Sequence, residues 1–437
     1  MRRTLLLFDD ATGRGWEPFA LTRPAGELLF GALFLRERIE RSLGLPAAAY
    51  LSTGRLAGFE EEGAPAVLGE AAEPEEAERL ILSSRYVPPL PREGGHRPGL
   101  GLPDSAPPGG ATLWASGEPI GWLLPPDEPI PPEAHLLAPT EGTSGTRARL
   151  ELPGRLLETP WELLSRNTAR IRSDLEVLHP AGAGEGSELL GPLPGVHRIG
   201  KHPVSVAPGV RVDPGAVLDS EEGPIHLGPG VRVHAHTHLR GPTVVGPDST
   251  LLGGLIESLA CGPACKLAGE ISSSVVLGFS NKAHYGYLGI SLVGRWVNLG
   301  AGTTNSDLKN NYGPIRVETA EGTVDTGLIK LGVLLGDHVK TGIGTLLNSG
   351  TSIGAGSNVF GGEMPDRRVP PFTWGGTEAS TVHRLEPFLV TAERAMARRD
   401  VALTPGLRRF FEQAWEDSRG QEASGRSEGP RESETSG

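Results

Sequence analysis

The stretch Ile225–Gly254, IHLGPGVRVHAHTHLRGPTVVGPDSTLLGG, places Leu227, Val233, Leu239, Val245 and Leu251 at steps of six. A six-residue apolar period fits neither the 3.6 of a helix nor the alternation of a single strand. It fits a coil whose flat faces are one short strand each, three faces to a turn. The apolar residue of each hexapeptide points into a triangular prism, and the Gly or small residue that commonly follows permits the corner between faces. Val206, Val212 and Leu218 form an earlier run, Val293 and Leu299 a middle one, and Leu335, Thr341, Leu347, Ile353 and Val359 a later one. These runs predict a left-handed parallel β-helix over residues 195–385.

Upstream, TLLLF at Thr4–Phe8, a helical stretch AGELLFGALFLRERIERSLG from Ala25 and a second strand AAAYLS give residues 1–190 an α/β reading. Pro and Gly dominate Val87–His135, which predicts an extended excursion around short strands. Thr159 before Pro160 reads as the N-cap of a helix reaching Leu178, and HPAGAGEGSE then breaks the chain. Asn305–Gly327 loses the six-step phase and is expected to leave the coil as a loop. Residues 386–418 read as a terminal helical segment and 419–437, with almost no apolar content, as a disordered tail.

The composition agrees with this architecture and limits the partners. The chain has 437 residues with 62 Gly and 39 Pro, which disfavours a helical bundle. A net charge of −12 without a basic stripe opposes nucleic-acid binding. No apolar run approaches the roughly 18 residues of a membrane helix, and MRRTLLLFDD meets acids too soon for a signal peptide. Cys261 and Cys265 stand without a second pair or a nearby His in zinc spacing, so buried free thiols in a reducing, cytoplasmic setting are expected. HAHTH at His234–His238 reads as a solvated row on a coil face without nearby carboxylates, and EPEEAER at Glu73–Arg79 as an exposed turn.

One segment of the coil collects chemistry: SNKAHYGYLGISLVGRWVNLGAGTTNSDLKNNYG, Ser280–Gly313. A prism filled with Leu, Val and Ile pushes polar groups outward, so His284, Tyr287 and Asn298 should be displayed. His284 and Asn298 are separated by nearly one coil turn and would then share a cleft with Tyr287. An imidazole can take the proton of an attacking amine or hydroxyl while Asn or backbone N–H groups hold an oxyanion, the parts of an acyl transfer from a thioester.

KAHYGYLGISLVGRWVNLGAGTTN resembles the acetyltransferase half of the bifunctional N-acetylglucosamine-1-phosphate uridylyltransferase and glucosamine-1-phosphate acetyltransferase family. The resemblance implies His284 as general base, Tyr287 as substrate-phosphate contact and Asn298 as sugar-binding residue. After GAGT the sequence departs, so the family's next Asn falls on Asp307 without a gap or on Asn310 or Asn311 with one. The phosphate-binding cation falls on Lys309 or Lys330. The resemblance also implies acetyl-coenzyme A lying along the coil between subunits of a homotrimer, with Thr341, Gly342 and Ser349 as contacts.

LFDDATGRGWEPFALTRPAGEL, Leu7–Leu28, resembles a divergent sugar nucleotidyltransferase group that pairs this domain with such a coil. It lacks the usual Gly-rich phosphate loop. Asp9, Asp10, Arg14 and Arg23 are the candidates to handle an NTP and Mg2+. The implied function is nucleotide-sugar synthesis from a sugar 1-phosphate, UTP or another NTP, and acetyl-coenzyme A, giving UDP-N-acetylglucosamine. The alternatives are nucleotidyl transfer to another sugar phosphate with the coil as an oligomerisation platform, and a non-catalytic ligand-sensing trimer.

Overall fold

Strand Arg3–Phe8 runs between two parallel neighbours, Ala47–Leu51 and Glu78–Ser83. It is apolar on both faces because both are covered: Leu5, Leu7 and Phe8 are fully buried. It is an interior strand of a seven-stranded mixed sheet, ordered 148–151, 111–115, 118–124, 78–83, 3–8, 47–51 and 66–68. In this computed structural model residues 2–52, 56–68, 77–91, 100–139, 147–180, 184, 186–377 and 380–425 are described, with side chains to residue 420. Most of the Glu73–Arg79 turn, positions 92–99 of the Pro/Gly-rich excursion and residues 426–437 of the tail lie outside the described residues.

The helix expected from Ala25 is broken. Only Leu35–Leu43 is α-helical, closed by Gly44 in the left-handed conformation (φ 67°). Before it come a 3-10 turn, Ala25–Glu27, and a tight hairpin, Leu29–Phe30 with Leu33–Phe34. The apolar residues that looked like a helix face serve this hairpin instead. Leu29 and Phe30 pack with Trp16 and Phe19 onto Val244, Ala260, Val275, Leu292 and Leu334 of the coil. Gly31 (φ +71°) makes the hairpin turn, where a Cβ would stand 2.2 Å from Asp174 Oδ2. Thr159 does not cap a helix either; a single helical turn, Glu162–Ser165, precedes the helix Asn167–Leu178, and neither has a side-chain cap.

The hexapeptides form three parallel ladders. The first runs from 204–206 through 225–227, 243–245, 260–261, 275–278, 292–295, 334–335 and 352–353 to 368–369. The second runs from 197–199 to 287–289, and the third from 211–212 to 281–282, resuming at 340–341 through bridges at Asn298. In-phase residues stack inside the prism, as Leu227, Val245, Cys261, Val276, Val293, Leu335 and Ile353 do on the first face. The left-handed parallel β-helix is the architecture read from the period. Cys261 and Cys265 are free and buried in it.

Residues 306–333 leave the coil after Thr304–Asn305 and carry a hairpin, Arg316–Thr319 with Gly322–Asp325. Ile315 and Val317 bury this excursion against the first domain. The C-terminal helices Leu385–Ala397 and Pro405–Gly425 lay Phe388, Met396, Phe410 and Phe411 on Phe372 of the last coils and on Leu21 and Phe59 of the first domain. The helix extends into residues 419–425, which the sequence assigned to a disordered tail.

The His row differs from expectation. Adjacent coils place Asp213 Oδ2 3.7 Å from His234 Nδ1 and Asp219 Oδ2 3.5 Å from His238 Nε2. Carboxylates one full turn back in sequence become neighbours because the ladder here stacks residues 21 apart.

Candidate functional site

His284 sits at the corner after strand Asn281–Lys282, exposed on the coil surface. Asn298 lies one coil further on, bridged to Asn281, whose Nδ2 donates to Asn298 Oδ1 at 3.3 Å. Both side chains line a cleft of about 330 Å³, closed by Lys266, Gly300 and the Arg398 and Arg399 pair of the C-terminal segment. An imidazole free on its solvent side and an amide on the same wall fit a proton acceptor and a positioning group for one bound substrate.

Lys282 fixes this corner and was not singled out from sequence. It falls six residues after Val276, so it occupies an inward position in register with Leu267. The side chain is 3% exposed, and Nζ donates to the carbonyls of Ala268 (3.1 Å) and His284 (2.8 Å). Burial pushes its pKa down to about 8. A lysine in phase with the aliphatic column was the available signal: a charge is retained there by anchoring the corner that carries His284 from inside.

Tyr287 is separated from the other two. It belongs to strand Tyr287–Gly289 of the second face and does not line the cleft; its hydroxyl donates to Asp307 Oδ2 at 2.7 Å. Burial, and then Asp307, raises its pKa. The expected three-residue cleft is therefore a His284–Asn298 cleft with Tyr287 round the corner, because residues 284 and 287 flank a bend between faces. Lys309 Nζ is bonded to the Pro314 carbonyl, and Asn311 Oδ1 accepts from Gly313 N (3.0 Å), both within the excursion. Asn310 and Lys330 are exposed on the same excursion, where Leu308 bridges Lys330.

Of the proposed acyl-donor contacts, Thr341 is an inward residue hydrogen-bonded to Thr303 Oγ1 (2.7 Å) and to Gly300 N (3.0 Å). Gly342 lies behind Gly300, next to Ile343 on the cleft wall. Ser349 is buried and does not line the cleft.

In the first domain the candidate nucleotide-binding residues hold the fold. Asp10 makes a bidentate pair with Arg85 (2.8 and 2.6 Å) and accepts from Gly13 N. Asp9 is 5% exposed, accepts from Ala25 N at 3.1 Å, and burial raises its pKa to about 6. Arg14 pairs with Glu133 and donates to the Asp9 carbonyl. Arg23 is buried between Glu61 (2.8 Å) and Asp337 of the coil (3.0 Å), and Asp337 also accepts from Thr22 Oγ1 and Arg295 N, each at 2.8 Å. Asp10 is committed to Arg85 and Asp9 to the turn at Ala25, so this arrangement does not present the two carboxylates as a magnesium pair.

Comparison with known proteins gives one family match and several relatives. Residues 5–181 match the family described as sugar nucleotidyl transferase. The chain is similar to the Sulfurisphaera tokodaii bifunctional sugar-1-phosphate nucleotidylyltransferase/acetyltransferase, 33% identical over 23% of this chain and 25% of that protein. It is similar to the bifunctional protein GlmU of Synechococcus elongatus, 28% identical over 36% of this chain and 39% of that one. A solved Arabidopsis UDP-N-acetylglucosamine acyltransferase aligns at 13% identity over 47% of this chain and 78% of that one, with a TM-score of 0.29. The matches thus span about a quarter to two fifths of the two bifunctional relatives.

Proposed function

We propose that the coil is an acetyl-coenzyme A-dependent N-acetyltransferase acting on an amino-sugar phosphate, glucosamine 1-phosphate first among them, in the synthesis of UDP-N-acetylglucosamine. The observation that carries this reading is the placement of His284 and Asn298 on one cleft wall, with Lys282 holding the His284 carbonyl. The amine nitrogen attacks the thioester carbonyl, and His284 takes the proton that the nitrogen must lose. The C–S bond breaks, coenzyme A leaves as thiolate, and the proton on His284 completes the thiol. Asn298 orients the sugar, and the tetrahedral oxyanion is held by N–H donors of the coil. A homotrimer of this chain, which the resemblance implies, would bring a neighbouring coil against the same cleft.

The resemblance of residues 5–181 to sugar nucleotidyl transferases supports a second reading, nucleotidyl transfer with the coil as platform. The engaged states of Asp9, Asp10 and Arg23 weigh against it. Coenzyme A release from acetyl-coenzyme A and glucosamine 1-phosphate, beside His284→Ala, tests the first reading. A parallel reaction with UTP and Mg2+ follows pyrophosphate for the second. Thiol release that disappears in His284→Ala supports the acetyltransferase; release unchanged in that variant removes the mechanism.

A further inference from the structure

The two walls that meet at His284 differ in charge. On the Tyr287 side the hydroxyl is already given to Asp307, and Glu270 stands opposite Tyr287 in the ladder. Glu257, one coil back, is paired with Arg240 at 2.9 Å. A phosphate placed there would displace Asp307 from Tyr287 and face the carboxylates of Asp307 and Glu270. On the cleft side Lys266, Arg398 and Arg399 converge with no carboxylate among the lining residues.

Arg399 is built into this wall. Its Nη2 donates to Asn281 Oδ1 at 2.7 Å and its Nε to the Ala264 carbonyl at 3.2 Å. Asn281 in turn donates to Asn298. A chain of hydrogen bonds therefore runs from the C-terminal segment to the residue that would position the sugar. Lys266 and Arg398 are exposed beside it and both line the cleft. The location just past Ala397, the last residue of its helix, also suits cations electrostatically, but Lys266 belongs to the coil and owes nothing to that helix.

We propose that Lys266, Arg398 and Arg399 form a phosphate-binding wall of the His284 cleft, so that the phosphate-bearing ligand is anchored by the C-terminal segment and not by the Tyr287 face. This deepens the acetyltransferase reading and rests on it for the identity of the ligand. The shared chemistry is a phosphate ester or diphosphate, supplied by coenzyme A or by the sugar 1-phosphate. Guanidinium and ammonium groups grouped on one wall suit that chemistry.

The test is the Lys266→Ala/Arg398→Ala double variant of the full chain, which spares the Arg399–Asn281 contact. Calorimetric binding of inorganic pyrophosphate at low and at 0.3 M salt reads the wall without any reaction. Wild type should bind, with affinity falling as salt rises, and the double variant should bind about tenfold or more weakly with little salt dependence. A raised KM for acetyl-coenzyme A alone assigns the wall to the donor, and a raised KM for glucosamine 1-phosphate alone assigns it to the acceptor. Pyrophosphate binding by wild type that the double variant loses, in a protein that releases no coenzyme A, would keep the wall and overturn the acetyltransferase. No pyrophosphate binding by wild type, or equal binding by a normally folded double variant, overturns the proposal.

Discussion

Replacing Lys282 with Met separates the stability of the prism from the geometry of the corner that carries His284. The ammonium sits in a column whose neighbours are Leu267 and Leu299, and burial lowers its pKa from 10.5 to about 8. Between pH 8 and 10.5 the unfolded chain holds this proton and the folded chain does not. Unfolding therefore takes up a proton, and wild-type stability rises with pH through that window. A shift of this size corresponds to about 3 kcal/mol, fully felt as a penalty below pH 8 and gone above 10.5. Met fills a similar volume without the charge. The stability difference, Met variant minus wild type, should fall by about 3 kcal/mol between pH 8 and 10.5, whatever its starting value. Urea unfolding followed by tryptophan fluorescence at half-unit steps of pH measures it, and other titrating groups cancel in the difference. The same substitution removes the donor that holds the His284 carbonyl at 2.8 Å. Loss of about tenfold or more in kcat/KM for acetyl transfer is expected, because a displacement of the base by a fraction of an ångström is costly. A stability difference that does not change with pH would mean that Lys282 is hydrated. Unchanged acetyl transfer would mean that its hydrogen bond does not position His284.

Other perturbations address the junction of the domains. Asp337→Ala strips Thr22, Arg23 and Arg295 N of a shared acceptor and leaves Arg23, 1% exposed, with Glu61 as its remaining carboxylate. A loss of about 3–5 kcal/mol is expected by urea unfolding, with strong coupling in a double-mutant cycle with Arg23→Met; a loss below about 1 kcal/mol would show that the domains are not held by this network. Asp9→Asn should stabilise the protein above pH 6. The raised pKa, from 3.8 to about 6, means the folded chain holds a proton that the unfolded chain has released in that window, so stability falls as pH rises through it. The gain should approach about 3 kcal/mol at pH 8 and vanish below pH 4. A destabilised Asn variant at pH 8 would indicate that the charged carboxylate is needed for the turn at Ala25.

The hexapeptide period specified the coil because it is a property of neighbouring residues. A residue every six must face inward if each face is one short strand, and no distant contact is needed to set that rule. The same locality made His284 and Asn298 readable as one site, since they are nearly a coil turn apart. It also made the excursion after Ser306 visible as a loss of phase. Lys282 was legible in principle, as a charge at an inward position, but whether it would be stranded or anchored depended on carbonyls that the corner geometry supplies.

Tertiary structure decided the rest. Leu29 and Phe30 gave an apolar pattern compatible with a helix, yet docking on the coil made them a hairpin, because burial against Val244 and Leu292 outweighs a local helical preference. Arg23 looked available for a nucleotide until the two domains met and Asp337, 314 residues away, neutralised it. Tyr287 turned from His284 toward Asp307 when the excursion folded back. Arg398 and Arg399 entered the cleft only because the C-terminal helices pack across the junction of domain and coil. Charges find partners by position in space, and for residues hundreds apart that position is set by how whole elements bury their apolar faces, which no spacing along the chain records.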